Sequence, residues 1–248
     1  MKKNITILFT LFIALITVNV QAQDAPVGKN YLGIYLGISQ PMGVFKSTDY
    51  YNNNAGMARG NVTYGISWAH YFTKHVAAIA DISFQDQGRP SSDVLQTLSG
   101  GYNSDFNAQS TTVTVTERYQ NLNLLLGPQY SFYFGKFSFD IGASAGLLKS
   151  FDTPEYEVNV YKQLVSSTTL ESTTFYQRSS RASAFAYSGH AGLHLNLSDG
   201  FGFALTGKYV GCDGIAITNE SNPYSNGRLV TKQPINVWQS TLGIFFHF

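Results

Sequence analysis

Residues 238–248 read Trp238-Gln-Ser-Thr-Leu-Gly-Ile-Phe-Phe-His-Phe248. Counting back from the end, Phe248, Phe246, Ile244 and Leu242 share one parity, with Trp238 further up the same face. His247, Phe245, Gly243 and Thr241 take the other parity. Successive side chains of a β-strand point to opposite faces, so the segment reads as a strand with one strongly apolar side and one mixed side. Too short for a membrane helix and too apolar on one face for open water, it demands a second solvent on that face.

Seven earlier segments repeat the pattern. Leu32, Ile34, Leu36 and Ile38 alternate with glycine, tyrosine and serine. Val62, Tyr64, Ile66 and Trp68 follow, then Ala78, Ala80, Ile82 and Phe84. Near 117–134, Leu122, Leu124, Leu126, Tyr130 and Phe132 oppose Asn121, Asn123, Gln129 and Ser131. Phe137, Phe139, Ile141, Ala143, Ala145 and Leu147 oppose Ser138, Asp140, Gly142, Ser144 and Gly146. Ala191, Leu193, Leu195 and Leu197 oppose His190, Gly192, His194 and Asn196. Phe201, Phe203, Leu205 and Tyr209 oppose Gly202, Ala204, Thr206 and Lys208. A soluble sandwich also alternates, but its polar face would carry more Lys and Glu.

The connections separate barrel from sandwich. Thr73-Lys74-His75, Gly135-Lys136 and Ser198-Asp199-Gly200 are tight hairpin turns, whereas the connections near 41–60, 86–116, 149–182 and 211–232 are long. Short and long alternate strictly, as in a membrane barrel with short periplasmic turns and long extracellular loops. Aromatics gather beside the short turns, at Tyr71, Phe72, Phe132 to Phe134, Phe137, Phe139, Phe201, Phe203 and Phe246, which predicts an interfacial girdle at that rim.

Composition agrees. The 248 residues are 44% apolar, 15% aromatic and only 12% charged, about half the usual charge content of a soluble domain. Basic and acidic residues nearly cancel and no basic stripe occurs, which excludes a nucleic-acid footprint. The lone Cys212 excludes an internal disulfide framework and a Cys-based zinc cluster; it reads as a free thiol in a loop. Lys2, Lys3, the apolar stretch Ile5 to Val18 and Val20-Gln21-Ala22 read as a cleaved secretory signal peptide over 1–22. Removing its two lysines leaves 14 basic against 15 acidic residues, a mature charge of −1. No later apolar run is long enough for a membrane helix. The expected fold is all-β: a membrane-spanning antiparallel up-and-down β-barrel of eight strands over 23–248. Ten strands is the alternative, because Tyr156 to Tyr161 and Thr173 to Tyr176 pattern as another hairpin and Thr111 to Arg118 also alternates. Both segments read as polar on both faces, which favours a hairpin extension in solvent, with Thr111 to Arg118 extending the fourth strand above the membrane.

Over about 30–248 the chain resembles the small outer-membrane barrels of the OmpA/OmpX-like and PorT-like kind, most specifically in its terminal strand. The resemblance implies the outer membrane of a Gram-negative bacterium, contact with outer-membrane lipid, and a terminal segment (Trp238, Leu242, Ile244, Phe246, Phe248) read by the barrel-assembly machinery. No peptidoglycan-binding domain is expected after Phe248. The motif is a pattern without a catalytic signature, so it carries architecture and location only.

Chemical motifs are weak. Gly142-Ala-Ser-Ala-Gly146 matches the G-x-S-x-G pattern, but that motif works on a strand-to-helix turn and here lies within a strand. His190 and His194 fall about 13 Å apart along a strand, too far to share a metal ion. Some small outer-membrane barrels modify lipid with a His paired to a Ser; no His-x-Ser occurs here. Asp213-Gly214 with Glu220 does not match a calcium loop. Asp81, Asp140, His190, His194 and Lys208 share lumen parity and form a structural polar cluster. Lys208 falls opposite His190, so its carboxylate partner must be Asp81 or Asp140. Asp49-Tyr-Tyr-Asn-Asn-Asn54 and 219–226 read as solvated loop or as adaptable binding surface. The expectation is a monomeric, non-enzymatic barrel without cofactor or metal, serving envelope integrity or surface attachment through its loops. The alternatives are a small solute channel or an accessory factor in envelope assembly or secretion.

Deleting Phe248 removes one lipid-facing ring, about 1.5–3 kcal/mol of burial. The loss of outer-membrane protein in cells should far exceed that, as periplasmic degradation, while refolding from urea into micelles stays near normal. Wild-type levels in cells would reduce the terminal ring to packing.

Overall fold

The computed structural model describes residues 28–163, 170–198, 200–220 and 227–248. The signal peptide read at 1–22, Asp199 of the third short turn and most of the 219–226 loop lie outside the described residues. In chain order the elements are β1 (Asn30–Pro41), α1 (Gly43–Lys46), β2 (Asn61–Tyr71), β3 (Val76–Asp86), α2 (Ser92–Phe106), β4 (Ser110–Val115), β5 (Gln120–Phe134) and β6 (Phe137–Asp152). Then come β7 (Tyr156–Gln163), β8 (Leu170–Gln177), β9 (Ser183–Ser198), β10 (Phe201–Ala216), β11 (Asn219–Glu220) and β12 (Lys232–His247).

Eight of these strands close in the order β1-β12-β10-β9-β6-β5-β3-β2, with all neighbours antiparallel. The seam pairs Tyr31 with His247 through to Pro41 with Val237. The N–H groups of Asn30 and Phe248 each donate to the other's carbonyl, at 3.0 and 3.1 Å. Closure leaves no strand edge facing lipid, the condition a sheet must meet in hydrocarbon.

Parity divides the wall. Ile34, Leu36, Ile38, Ile66, Ile82, Leu126, Ile141, Leu193, Leu205 and Leu242 all stand exposed on the outside, while the intervening positions turn inward. On β6 the apolar face runs from Phe137 to Leu147. Ten residues rise about 33 Å along a strand. A tilt of about 40° reduces this to about 25 Å along the membrane normal, the height of an apolar belt. Phe72, Phe132, Phe134, Phe137, Phe203 and Phe246 are exposed near the short-turn rim. Tyr71 departs from the expected girdle: it faces the lumen, its hydroxyl 3.0 Å from Ser131 Oγ. A second aromatic zone (Tyr64, Phe151, Phe185, Tyr187 and Trp238) lies toward the long-loop rim.

The long connections fold into a cap. The extra segments add no membrane strands: they form a separate four-stranded sheet ordered β11-β8-β7-β4. The expectation that Thr111 to Arg118 extends the fourth strand is corrected, since β4 leaves the barrel and pairs with β7. The hairpin is also not polar on both faces. Tyr156, Val158, Val160 and Phe175 are buried against α2 through Val94, Leu98 and Tyr102. Those three helical residues recur every fourth position and so share one face. Asp93 suits the first turn of α2, and Asn107, left-handed at φ 48°, ends it. Tyr50, read as loop surface, is buried in this core: its ring lies 5.3 Å from Tyr102 and its hydroxyl donates to Asp105 at 2.6 Å. Burial and then the Asp105 carboxylate hold the Tyr50 phenol protonated far above its ordinary range. The Arg228 guanidinium donates to the Ala55 carbonyl and the Met57 sulfur, joining the last loop to the first.

Cap and barrel have separate apolar cores, which sets up a test. Leu98→Ala should cost about 2–5 kcal/mol locally, making residues 86–116 protease-sensitive. The folded protein should still run differently on gels before and after boiling. Loss of that mobility difference would show that cap and barrel fold as one unit.

Candidate functional site

An eight-stranded barrel has an interior just wide enough to be filled by side chains. Here the inward residues stack in levels. At the middle, Lys208 on β10 extends into the lumen and donates to Asp81 Oδ1 on β3 at 2.7 Å, Tyr35 Oη on β1 at 3.0 Å and Ser83 Oγ on β3 at 3.4 Å. Tyr35 in turn donates to Asp81 Oδ2 at 2.6 Å. All three ammonium protons have acceptors and both carboxylate oxygens have donors, as a buried ion pair requires. None of β1, β3 and β10 is a direct neighbour of another, so the network braces the barrel across its lumen. Gly65 makes the brace fit: a Cβ there would sit 2.6 Å from Tyr35 Oη and 2.5 Å from the Ile82 carbonyl.

The other cluster members form a second network nearer the short turns. Gln129 Nε2 donates to Asp140 Oδ2 at 3.1 Å, and Gln129 Oε1 lies 3.2 Å from His190 Nε2. His194 Nδ1 stands 3.3 Å from the same Asp140 oxygen. The His194 ring stacks on Tyr31 with centroids 5.4 Å apart and interplanar angle 15°, and meets Phe245 at 5.0 Å. The five lumen residues read from parity thus fall into two groups. Asp81 is the carboxylate that meets Lys208, and Asp140 meets His194 through Oδ2. His190 reaches Asp140 only by way of Gln129. Gly142 of the G-x-S-x-G segment leaves room for His190, since a Cβ would lie 2.5 Å from Cε1. Among the described residues no hydrogen bond ties Ser144 to a histidine, and no group of three His, Cys, Asp or Glu could hold a metal ion.

Apolar plugs close both ends. Toward the short turns, Tyr31, Ala69, Ala77, Ile79, Ala204 and Phe245 pack together. Toward the long loops, Leu125, Leu148, Val210, Ile235 and Val237 close around Phe45, which α1 pushes into the barrel mouth against Tyr119, ring centroids 4.8 Å apart. Cys212 belongs to this plug and not to a loop, because β10 continues to Ala216. Below that plug, Gln239 donates to Gln85 at 2.9 Å and Gln87 to Ser39 at 2.7 Å, a buried amide level. A cavity of about 50 Å³ remains beside Asp81, Asp140, His190 and Lys208, room for about three or four waters.

The terminal segment faces outward. Trp238, Leu242, Ile244, Phe246 and Phe248 are exposed, while Phe245 between them is fully buried. Parity alone did not single out Tyr35, Gln129 or Phe45. Tyr35 carried the signal that was available, a lone ring at lumen parity between Gly33 and Gly37. Phe45 carried none, since it lies in a loop without a repeating pattern.

No family model matches the chain, and no curated protein matches it. Solved structures similar to it include Neisserial surface protein A, at 10% identity and TM-score 0.46, covering 89% of this chain and 97% of that one. The attachment invasion locus protein Ail of Yersinia pestis is similar at 14% identity and TM-score 0.41, covering 89% and 99%. The outer membrane protein OprG of Pseudomonas aeruginosa is similar at 12% identity and TM-score 0.42, covering 91% and 99%. No ligand or activity passes from those proteins to this one.

The brace is testable by removing one charge. Lys208→Met leaves Asp81 buried without its cation and should destabilise the barrel by about 3–5 kcal/mol in urea refolding. Removing both charges with Asp81→Leu added should restore much of the loss. Unchanged stability of the single variant would mean that Asp81 is hydrated.

Proposed function

We propose that this chain is a non-enzymatic, non-conducting, monomeric barrel of a Gram-negative outer membrane, exported by a cleaved leader and inserted by the barrel-assembly machinery. In this reading the short turns face the periplasm. The four long loops stand at the cell surface as a folded platform that serves envelope integrity or attachment.

The observation that carries the reading is the filled lumen. A solute path would have to break the Lys208–Asp81–Tyr35 brace and expel an apolar plug on either side of it. Each rearrangement is costly: one strands a buried charge, the others expose packed side chains to water. The platform has the opposite character. Its own core (Val94, Leu98, Tyr102, Val158 and Phe175) holds the loops in one shape, which lowers the ordering cost of binding at that surface.

Planar bilayers decide between a solid barrel and a channel. The purified protein should give no unitary conductance above the bare bilayer, and Lys208→Met should not open one while both plugs persist. A steady open level of defined size would overturn the non-conducting reading.

A further inference from the structure

The outward face of β6 runs Phe137, Phe139, Ile141, Ala143, Ala145 and Leu147, and then a cation interrupts it at Lys149. An outward Lys is costly at the bilayer midplane and nearly free at the interface, so its position marks the edge of the apolar belt. Phe151, one step higher on the same face, and Phe185, paired with Leu147 across β9, are exposed beside it. Lys149 Nζ donates to the carbonyl of Arg181 at 2.6 Å, which fixes the Arg181 backbone next to the ammonium. Among the described residues no carboxylate lies within ion-pair reach of Lys149.

The Arg181 side chain is 79% exposed and, among the described residues, makes one long ion-pair contact, Nε to Asp152 Oδ1 at 3.5 Å. Two cations and one carboxylate leave this point of the rim with a local charge of +1. Neighbouring charges are already paired: Arg118 with Asp86 at 2.8 Å and Arg178 with Glu155 at 3.0 Å.

We infer that Lys149 and Arg181 form a binding site for the phosphate of a phosphorylated lipid headgroup in the leaflet that surrounds the long-loop rim. The chemistry is specific in two parts. A guanidinium fork and an ammonium with spare protons suit phosphate oxygens. Directly below them, Leu147 and Phe185 offer an apolar wall for the acyl chains of the same molecule, which a free anion or a hydrophilic peptide would not use. Lys149 rises from the upper edge of that wall toward the rim, its ammonium at the Arg181 carbonyl. The inference rests on the membrane-barrel reading above, and in cells the leaflet concerned is the outer one if the long loops face outward.

The test uses the full chain in phosphatidylcholine nanodiscs carrying lipid A as the probe, with bound lipid per protein read by native mass spectrometry. Two basic residues near a charged surface should make retention of phosphorylated lipid A about ten- to thirty-fold greater than that of its dephosphorylated form. Lys149→Gln with Arg181→Gln should bring retention down to the dephosphorylated level, while Lys149→Arg keeps it. Lys136→Gln, at the opposite rim, should leave it unchanged. Wild-type retention by the double variant, or equal retention of both lipids, would overturn the site. Displacement by millimolar inorganic phosphate alone would overturn the lipid assignment in favour of a free-anion site. Both leaflets of the disc hold the probe, so orientation does not enter the result; a loop epitope labelled on intact cells reads orientation separately.

Discussion

In hydrocarbon no water is present to satisfy a strand edge, so a sheet that enters a bilayer must close on itself. Closure of β1 on β12 is the constraint from which the rest of this molecule follows. Eight strands enclose a narrow lumen, and a narrow lumen is filled by whatever side chains point into it. Each inward position has to satisfy its neighbours across the barrel as well as along the strand. A lysine there needs a carboxylate opposite, and a tyrosine that reaches between them needs a glycine in its path. Lys208, Asp81, Tyr35 and Gly65 meet those requirements from four strands.

The same constraint explains the order of levels. A polar level in the middle of a membrane protein is tolerable only when its groups are paired and water is limited. The plugs at either end supply the limit, one built from inward residues near the short turns, the other completed by Phe45 from the first long loop. Because Phe45 belongs to the loops, the upper plug ties the cap to the barrel mouth. Tyr119, in the connection just before β5, repeats the link, its hydroxyl donating to the Gly56 carbonyl at 3.0 Å. The first long loop is therefore part of the closure through Phe45, while the hairpin and helix of the cap are held by their own core.

On the outside the physics is simpler, since lipid asks only for apolar contact over a fixed height and tolerates charge above and below it. The β6 face obeys this up to Leu147 and then changes character at Lys149. That change sits below the cap, beside Arg181 two residues before β9 begins. Interior bracing and exterior matching to lipid are thus carried by alternate residues of the same strands.

The eight strands, their inward and outward faces, the three short turns and the closing of the last strand on the first were legible in the sequence. The strands and their faces depend on a period of two and the turns on short tight connections, both local signals. Closure follows from the need to pair both edges in hydrocarbon. Parity also placed Asp81, Asp140, His190, His194 and Lys208 on the lumen side, and narrowed the partner of Lys208 to two carboxylates. Which of the two it meets depends on the stagger of strands around the barrel, a property of the closed sheet that no single segment contains. The cap was misread for a related reason. Its hairpin buries Tyr156, Val158 and Val160 against a helix about sixty residues earlier, and Tyr50 joins that core from another loop. Cys212 looked like loop because the alternation weakens where β10 shifts register between Cys212 and Ile215. Local periodicity decided which residues face lipid; contacts between segments far apart in the chain decided what the inward residues and the long loops touch, and only the folded chain brings those segments together.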